Sequence, residues 1–504
     1  MFAGSESTTA IFFIILIAVG ILTWSFNRSK VYGKLGVLAW LQSAVLMSPW
    51  LVFFALFAVG IYLNLVGILA LLLLSAGIYI YIGKTLRAAG QDAMIKQQAA
   101  ERLKAEAEAA AKVEQTVDLT VDPEQVALMR FAPIPDDDLS KIKSVFGIDT
   151  FFATETIPYQ EGAIFRGNLR GEAEFSHNKM SDKLKVQLGD KYRLFLVESP
   201  EEKPVVVVLP SKNDPKPATL AQKNLSLVLL VSTIVTSLEA SGLLLGFDLF
   251  SNWNRYQEAI PLSLGLWSVL IAHELGHFLA AKRHGVRLSL PYFLPTWQIG
   301  SFGAITRFES LLPSRTVLCD IALAGPALGG LISLLLLVVG MILSHPGSIF
   351  QLPTEFFQAS VLVGSLAKVI FGSALQETIV DVHPLVVVGW LGLVITALNL
   401  MPAGQLDGGR IVQSIYGRKI ARRTTVATLI VLGIITLANP GNPIPLYWAI
   451  LILFLQRDLE RPALNEITEP DDARAAWSLL ALFLMLVTLI PLTPSLAGSL
   501  GIGG

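Results

Sequence analysis

Two histidines and a glutamate share one short stretch of the chain, His273-Glu274-Leu275-Gly276-His277. On a helix, residues four apart lie on one face, so His273 and His277 can present both imidazoles to one point. Two imidazoles suit Zn²⁺, which keeps a fourth position open when it is catalytic. The carboxylate of Glu274 can take a proton from a water whose pKa the metal lowers, and can return it to a leaving amine. Such a site is one protein ligand short, so the motif predicts a third ligand elsewhere.

A chance match, or a pair of ordinary core histidines, is the alternative interpretation of this stretch. The stretch follows an apolar run from Ile260 to Ala272 that is interrupted only by Ser263 and Ser268. Ionisable side chains at membrane depth are costly, about 2.5–3.5 kcal/mol each on insertion scales, and are functional by default. Three of them in one turn favour a catalytic metal site.

A candidate for the third ligand follows a later apolar run near 384–402. Pro402 and the paired glycines after Asp407 break the helix there, so that an acid at membrane depth can turn inward. A lone Asp before Gly-Gly is most often a turn residue. Asp407, however, lies at the cytoplasmic end of a predicted span, as the HELGH stretch does. This position favours Asp407 as an oxygen ligand beside two histidines and a water.

Composition places these residues in a membrane protein. Hydrophobic residues make up 53% of the 504 residues and charged residues 15%, and the mean hydropathy is +0.60. These values are typical of a polytopic α-helical membrane protein. The net charge of −1, without a basic stripe, gives no indication of a nucleic-acid partner, and none is predicted. Cys319 is the single cysteine, which excludes an intrachain disulfide.

Apolar runs of about 17 to 25 residues can cross a bilayer, and together with shorter runs they predict roughly ten spans. If the helices alternate, the clusters of Lys and Arg all fall on one side, which the positive-inside rule assigns to the cytoplasm. The N-terminus is then outside. The longer runs lie near 10–26, 36–57, 64–83, 225–246, 260–281, 316–344 and 384–402, and the shorter ones near 424–439, 443–456 and 475–493.

Changes in composition divide the chain into five predicted parts. Residues 84–117 are rich in Ala, Glu, Lys and Gln and contain no Pro, which indicates a solvated charged helix or, alternatively, a coiled coil. The composition after Val121 is that of a small soluble domain on the cytoplasmic side. The parts are a membrane anchor of about three spans (1–83), a charged helical connector (84–120), a soluble α+β domain (121–216), a catalytic membrane core (220–460) and a C-terminal span with its tail (461–504).

Within the soluble domain, the pattern predicts a helix near 136–146 and β-strands near 151–156, 192–197 and 205–209. The stretch from Arg166 to Glu172 contains two glycines and an asparagine, residues that tolerate positive φ, and this predicts a turn between strands.

The segment after the HELGH helix predicts a hairpin. Residues 298–308 alternate between apolar and polar positions and are too short to span a bilayer. Non-helical backbone survives at membrane depth only against protein or a wet cavity, and a strand edge there can pair with an unwound substrate. We predict a re-entrant β-hairpin, with an ordinary cytoplasmic loop as the alternative. The candidate substrate-binding residues are Gly300, Phe302, Gly303, Ala304, Ile305 and Thr306.

Two further segments carry structural predictions. Small residues in Ala324–Gly330 allow close helix approach, and we predict packing against the catalytic helix in preference to dimerisation. Residues 345–382 are predicted to form a loop on the outside.

These motifs carry a family resemblance. HELGH in one span and N-x-x-P…L-D-G-G in a later one resemble the site-2 protease family of intramembrane zinc metalloproteases, over about residues 220–460. The stretches G-N-L-R at Gly167–Arg170, F-G-A-I-T at Phe302–Thr306 and A-G-P at Ala324–Pro326 are similar to the cyanobacterial and plastid branch, which includes the chloroplast EGY-type proteases.

The resemblance implies one Zn²⁺ per chain on His273, His277 and Asp407, with Glu274 as the catalytic base. It implies cleavage of a single-pass membrane protein, with or without an earlier cut, within or near its membrane segment. Asn399, Pro402 and Gly408 match positions that support the site. The family's common N-P opening is N-L here, so that Leu400 is a departure and Pro402 supplies the helix break.

Two other functions compete with a protease. The first is a proteolytically silent scaffold or chaperone that keeps zinc for folding, against which Glu274 argues because a structural zinc site needs no base. The second is a transporter, which an inverted repeat would favour; none is visible. The N-terminus lacks the basic region of a signal peptide and the Arg-rich composition of a transit peptide, which favours the plasma or thylakoid membrane of a bacterial cell. The sequence predicts neither the substrate's identity nor the oligomeric state.

Overall fold

The computed structural model describes residues 134–159, 161–199, 201–296, 299–439, 441–456 and 458–502, with scattered helical residues between 20 and 85. The chain forms two compact units, Met1–Asp122 and Pro123–Gly504. In the first unit the Trp40 indole donates to the Leu22 carbonyl at 3.0 Å. The spans predicted at 10–26, 36–57 and 64–83 and the connector predicted at 84–120 lie wholly or largely outside the described residues.

The second unit begins with an α+β domain around a four-stranded antiparallel sheet, whose strand order is β1-β2-β4-β3. Phe151, Phe165, Leu196, Ile142 and Met180 are fully buried between the sheet and its helices, and their burial holds the two layers together. The elements are α1 (Asp136–Val145), β1 (Phe151–Tyr159), β2 (Gly162–Leu169), α2 (Ala173–Leu188), β3 (Tyr192–Glu198) and β4 (Pro204–Pro210).

The helix and the three strands predicted for this domain are confirmed. The turn predicted from Arg166 to Glu172 is wrong over its first half, because Arg166–Leu169 completes β2, where Phe165 anchors the strand in the core. The chain turns only at Arg170–Glu172, and α2, which the sequence analysis did not predict, follows directly.

Helices dominate the rest of the second unit. Five of them, by length and composition alone, could cross a membrane among the residues searched: Gln222–Leu244, Trp253–Arg283, Arg315–Leu343, Asp407–Ala438 and Asp472–Leu489. The helices are α3 (Leu220–Leu244), α4 (Tyr256–Arg283), α5 (Arg315–Leu343), α6 (Val361–Phe371), α7 (Pro384–Asn399), α8 (Asp407–Ala438), α9 (Ile444–Leu451), α10 (Asp472–Leu489) and α11 (Pro494–Leu500).

Five of the seven spans predicted within the described residues correspond to these long helices. The runs predicted at 384–402 and 443–456 form the shorter apolar helices Pro384–Asn399 and Ile444–Phe454. Helix α8 bends at Gly417, whose φ of 76° is a backbone conformation that glycine adopts without steric cost.

Polar caps fix where several of the long helices begin. Thr219 and Gln222 form a capping box at the start of α3. Ser314 accepts a hydrogen bond from the Val317 amide at the start of α5, and Asp471 caps α10. Such caps satisfy backbone donors that the helix itself leaves unpaired.

Two short antiparallel hairpins accompany the helices. Strand β5 (Tyr292–Thr296) pairs with β6 (Gly300–Ile305), and β7 (Phe350–Pro353) pairs with β8 (Ile379–Val382). A whole hairpin is predicted within residues 298–308. Those residues contain only its second strand, β6, because the first strand, β5, lies earlier in the chain. The outside loop predicted at 345–382 is wrong as to structure, because it contains β7, α6 and β8, whose apolar residues join one buried cluster.

A short extended segment, residues 464–466, joins the α+β domain to the helical core. The amide of Leu196 in β3 donates to the Leu464 carbonyl at 2.8 Å, and the Glu466 amide donates back to Leu196 at 2.9 Å. On its other side, Leu464 donates to the carbonyl of Leu312, just before α5, at 2.8 Å. The segment is thus hydrogen-bonded along both of its edges.

Candidate metal centre

Helix α4 brings the two histidines of the HELGH stretch together. His273 and His277 lie one turn apart in the C-terminal half of α4, and both are buried. Their Nε2 atoms are 3.2 Å apart. This is the arrangement that the four-residue spacing predicts, because side chains at i and i+4 share one helix face.

Asp407, in the first turn of α8, completes a triangle of donor atoms. Its Oδ2 lies 3.1 Å from Nε2 of His273 and 3.3 Å from Nε2 of His277. Zinc–ligand distances of about 2.0–2.1 Å place tetrahedral donors about 3.3–3.4 Å apart. The three edges of the triangle, 3.1, 3.2 and 3.3 Å, therefore fit a zinc ion with one position left for water or substrate.

A backbone contact fixes which nitrogen of His277 faces the triangle. Its Nδ1 donates to the Ile321 carbonyl of α5 at 2.8 Å. The proton is therefore on Nδ1 and the lone pair on Nε2, which is the tautomer that a metal ligand needs.

Glycines of α5 make room for both imidazoles. A Cβ on Gly325 would lie 2.2 Å from Nε2 of His277, and a Cβ on Gly329 would lie 2.9 Å from Cβ of His273. Any other residue at these positions would push into the donor triangle. The small-residue stretch of α5 thus packs against the HELGH helix, as predicted for Ala324–Gly330.

Close backbone packing also places Asp407. Helix α7 ends at Asn399, the chain turns through residues 400–406, and α8 begins at Asp407. A Cβ on Gly408 would lie 1.8 Å from the Leu400 carbonyl oxygen, so only glycine lets the turn fold this tightly against α8. Pro402 lies within the turn, three residues after the helix has ended.

Glu274 lies beside the triangle, with a carboxylate oxygen within 4.8 Å of the histidine nitrogens. Its Oε2 accepts a hydrogen bond from the Thr306 hydroxyl at 2.7 Å. Thr306 directly follows β6, and this contact with Glu274 was not predicted from the sequence. The base candidate is therefore oriented by the hairpin.

A small cavity lies between His273 and the hairpin. The residues that line it include His273 and Glu274 of α4, Gly303 and Ala304 of β6, and Asn399 of α7. The cavity brings five of the sequence-predicted site residues to one place.

Asn399 ties α7 to the hairpin. Its amide nitrogen donates to the Ile395 carbonyl at 2.9 Å and lies 3.4 Å from the Phe302 carbonyl. A Cβ on Gly303, whose φ is +98°, would lie 2.5 Å from the same nitrogen. Asn399 thus contacts the backbone of β6 and not the donor triangle.

The other candidate substrate-binding residues lie in different surroundings. The Phe302 ring is buried against Tyr447 and Trp448, so its side chain packs in the core. The Gly300 carbonyl accepts a hydrogen bond from Thr236 of α3 at 2.7 Å, and Ile305 is half-buried.

Comparisons with known proteins show which family this chain is similar to. Two protein-family profiles match: "Peptidase family M50" over residues 261–439 and "EGY3 middle domain" over residues 140–216. The probable zinc metalloprotease EGY1, chloroplastic, of Arabidopsis thaliana is 37% identical over 405 residues, which are 73% of each chain. This chain belongs to the EGY-type branch of peptidase family M50.

Other EGY-type relatives agree. The probable zinc metalloprotease EGY2, chloroplastic, of Arabidopsis thaliana is 40% identical over 357 residues, 69% of this chain and 63% of the relative. The probable zinc metallopeptidase EGY3, chloroplastic, of the same plant is 33% identical over 376 residues, 70% of this chain and 65% of the relative. The chain thus spans somewhat less than two thirds of EGY2 and EGY3. No solved structure matches it.

The family match covers the donor triangle. The M50 match includes both histidines, Glu274 and Asp407, and the EGY3 middle-domain match covers most of the α+β domain. EGY-type relatives carry the name zinc metalloprotease, and the triangle's spacing fits that ion. Zinc is therefore the metal that this member of the family is built to hold.

Two charged residues next to the EGY-type site were not predicted from the sequence. Arg410, one turn after Asp407 in α8, and Glu460, after α9, are both buried. The Arg410 Nη2 lies 2.7 Å from Oε1 of Glu460 and 2.7 Å from the Thr306 carbonyl oxygen. One signal could have found Arg410, because an arginine three residues after Asp407 shares its helix face; Glu460 carries no comparable signal.

Proposed function

We propose that this protein is a zinc-dependent endopeptidase that cleaves a membrane-anchored, single-pass substrate within or near its transmembrane segment. One observation carries the proposal. Three buried donor atoms form a zinc-sized triangle beside a carboxylate, on helices α4 and α8, which are long and apolar enough to cross a membrane.

The residues of the site divide the work of peptide hydrolysis. His273, His277 and Asp407 would hold the zinc ion, which would supply a Lewis acid that lowers the pKa of water and polarises a carbonyl. Glu274 accepts the proton of the attacking water and later donates it to the leaving nitrogen. Thr306 keeps one oxygen of that carboxylate in place through its hydroxyl.

The hairpin is the proposed substrate-binding element. A helical substrate must unwind before cleavage, because its carbonyl groups are hydrogen-bonded within the helix. Gly303 and Ala304 of β6 line the cavity beside His273 and Glu274. An unwound strand that adds to this hairpin would lie next to the base, which is β-augmentation. We propose that the hairpin is re-entrant and lies at membrane depth, because α3 and α7 pack against it.

The orientation of the protein is part of the same proposal. Lys282 and Arg283 end α4, and the positive-inside rule puts such ends in the cytoplasm. The α+β domain and the basic loops then lie on the cytoplasmic side. A bacterial plasma or thylakoid membrane, roughly ten spans in all and regulated proteolysis of a pre-cleaved substrate remain predictions.

The test is cleavage of a panel of single-pass membrane proteins by reconstituted wild type, Glu274→Gln and Asp407→Ala, with zinc measured in each. Every substrate is offered at full length and with its extramembrane domain removed. We expect cleavage by wild type alone, equal zinc in wild type and Glu274→Gln, and loss of zinc in Asp407→Ala. Faster cleavage of the shortened substrates would support an earlier cut.

Other outcomes point elsewhere. Cleavage by both variants would overturn the assignment of the site. Zinc in wild type without cleavage of any substrate would favour the scaffold, and folded wild type without zinc would overturn the metal site itself.

A further inference from the structure

Arg410 contacts three parts of the site at once. Its Nε and Nη2 lie 3.0 and 2.7 Å from Oε1 of Glu460. Nη2 also lies 2.7 Å from the carbonyl oxygen of Thr306, and Nη1 lies 3.7 Å from Oδ1 of Asp407. The planar guanidinium can serve these directions together because its donors have a fixed fork geometry.

The two carboxylate oxygens of Asp407 face different partners. Oδ2 faces the two histidines at 3.1 and 3.3 Å, while Oδ1 faces Arg410. An acid held in this way offers a single oxygen to the metal. Partners of this kind orient the ligands of a metal and tune their strength.

The contact with Thr306 reaches the base. Thr306 accepts from Arg410 through its backbone and donates to Glu274 through its hydroxyl, at 2.7 Å in each case. Arg410 therefore fixes the backbone from which the Glu274 carboxylate is held. One side chain of α8 is linked to both the metal ligand and the base, which belong to different helices.

Glu460 pairs with Arg410 and holds it in place. Both side chains are almost fully buried, with 5% of Arg410 and 7% of Glu460 exposed, and a buried charge persists only when paired. Gln413 of α8 holds the backbone of Glu460 from both sides, accepting from its amide at 3.1 Å and donating to its carbonyl at 3.3 Å.

A purely structural arginine in the same protein offers a comparison. Arg315 is 6% exposed, and it donates to the backbone carbonyls of Ser414 and Ile415 in α8 at 2.8 and 2.6 Å. It ties α5 to α8 as Arg410 ties α8 to the hairpin, but it contacts neither a metal ligand nor the base.

We propose that Arg410, held by Glu460, is a positioning residue that sets the metal-binding oxygen of Asp407 and the Thr306–Glu274 contact relative to each other. The inference rests on the proposed function, because it assigns a role within that reaction. It makes the buried Arg410–Glu460 pair part of the zinc site and not merely a link between segments.

The test compares Arg410→Gln, Arg410→Lys, Glu460→Gln and Arg315→Gln in the full-length reconstituted protein. Zinc affinity is measured by competition with a chelator, kcat and KM by cleavage of a single-pass substrate, and folding by thermal unfolding. We expect Arg410→Gln to lower zinc affinity and kcat by about 10- to 100-fold each, with KM changed by less than about twofold. Arg410→Lys and Glu460→Gln should fall between that variant and wild type.

Arg315→Gln should keep zinc affinity and kcat within about twofold of wild type while lowering the thermal midpoint. Wild-type zinc affinity and kcat in Arg410→Gln, or equal losses in Arg315→Gln, would overturn the inference. If Arg410→Gln does not fold, the two milder variants decide on the same readouts. Failure of wild type itself to cleave any substrate would instead count against the proposed function, and the zinc-affinity comparison would still judge Arg410.

Discussion

In the α+β domain, Asp138 accepts hydrogen bonds from Lys191 and Tyr192 at the edge of its core, whereas in the helical core Asp407 faces two buried histidines and a buried arginine. The bonds from Lys191 and Tyr192 lower the pKa of Asp138. Burial and the contact with Asp138 raise the pKa of the Tyr192 hydroxyl. The first cluster is closed, since each group has its partner within the protein.

The second cluster is not closed in the same sense. At the donor triangle, Oδ2 of Asp407 and the Nε2 atoms of both histidines converge on one point, and the carboxylate of Glu274 lies beside them. Two imidazoles and a carboxylate with an open fourth position are a donor set that suits a catalytic zinc ion. The α+β domain thus pairs its buried carboxylate within the protein, whereas the helical core presents its buried carboxylate to the proposed metal site.

The substitution with the largest expected effect on the donor triangle is Gly325→Ala. The added methyl would lie 2.2 Å from Nε2 of His277, so the imidazole must leave the triangle. We expect loss of zinc and at least a 100-fold loss of cleavage, because a catalytic zinc site needs all three protein ligands. Zinc content and cleavage rate are the measurements.

Gly330→Ala is the matched control, since its nearest neighbour would be a Thr396 methyl at an ordinary 3.6 Å. Wild-type zinc content in Gly325→Ala would contradict the packing of α5 against the histidines.

A complementary experiment destabilises the α+β domain and leaves the donor triangle unchanged. Phe165→Ala removes a fully buried ring, which costs about 3–5 kcal/mol of stability in protein cores. We expect hydrogen exchange to accelerate throughout β1–β4, while the full-length protein keeps its zinc. Loss of zinc in step with domain opening would show that the two regions are not independent.

A smaller effect is expected from Thr306→Val, which removes the hydroxyl that bonds Glu274 at 2.7 Å. A hydrogen bond to a charged group contributes about 1.5–3 kcal/mol, so kcat should fall about tenfold or more. Zinc affinity should stay unchanged, because Thr306 contacts no ligand of the metal. Thr306→Ser, which restores the hydroxyl, should recover most of the rate, and failure to recover would refute the contact's role.

The mildest prediction concerns pH. Burial lowers the pKa of His177 in α2, so the unfolded domain binds this proton more readily than the folded one. The stability that neutral His177 contributes is present above its unfolded pKa, about 6.5, and is lost as the pH falls below it. Hydrogen-exchange protection of α2 and β3, corrected for intrinsic rates, should fall from pH 7.5 to 5.5. Protection in His177→Gln should change less, and an equal change would exclude His177 as the cause.

The sequence predicted the members of the donor triangle better than the groups that position them. His273 and His277 follow from helix periodicity alone, and Asp407 follows from an acid next to a helix break, so each is a local signal. The links from Arg410 to Thr306 and Glu460 join residues that are far apart in sequence. Their contact depends on how α8, the hairpin and the segment after α9 pack, which no local pattern specifies.

The same reasoning explains the errors in the fold. The segment 345–382 is predicted as an outside loop, yet β7, β8 and α6 fold because they share one buried cluster with Leu492 and Ile502. The stretch at Gly167–Arg170 has the composition of a turn, but Gly167 sits in β2, where a Cβ would lie 2.1 Å from the Phe152 carbonyl oxygen. Glycine fits there because the neighbouring strand β1 leaves no room for a side chain.

The extended segment between β3 and the start of α5 has a consequence for the order in which this protein is made. Leu464 and Glu466 pair with Leu196, but they are translated only after α3 to α9. Until then the sheet of the α+β domain has an open edge at β3, and an open strand edge is a template for association with other chains. Chains that stop short of Leu464 keep that edge exposed, so this pairing marks a chain in which α3 to α9 have already been synthesised.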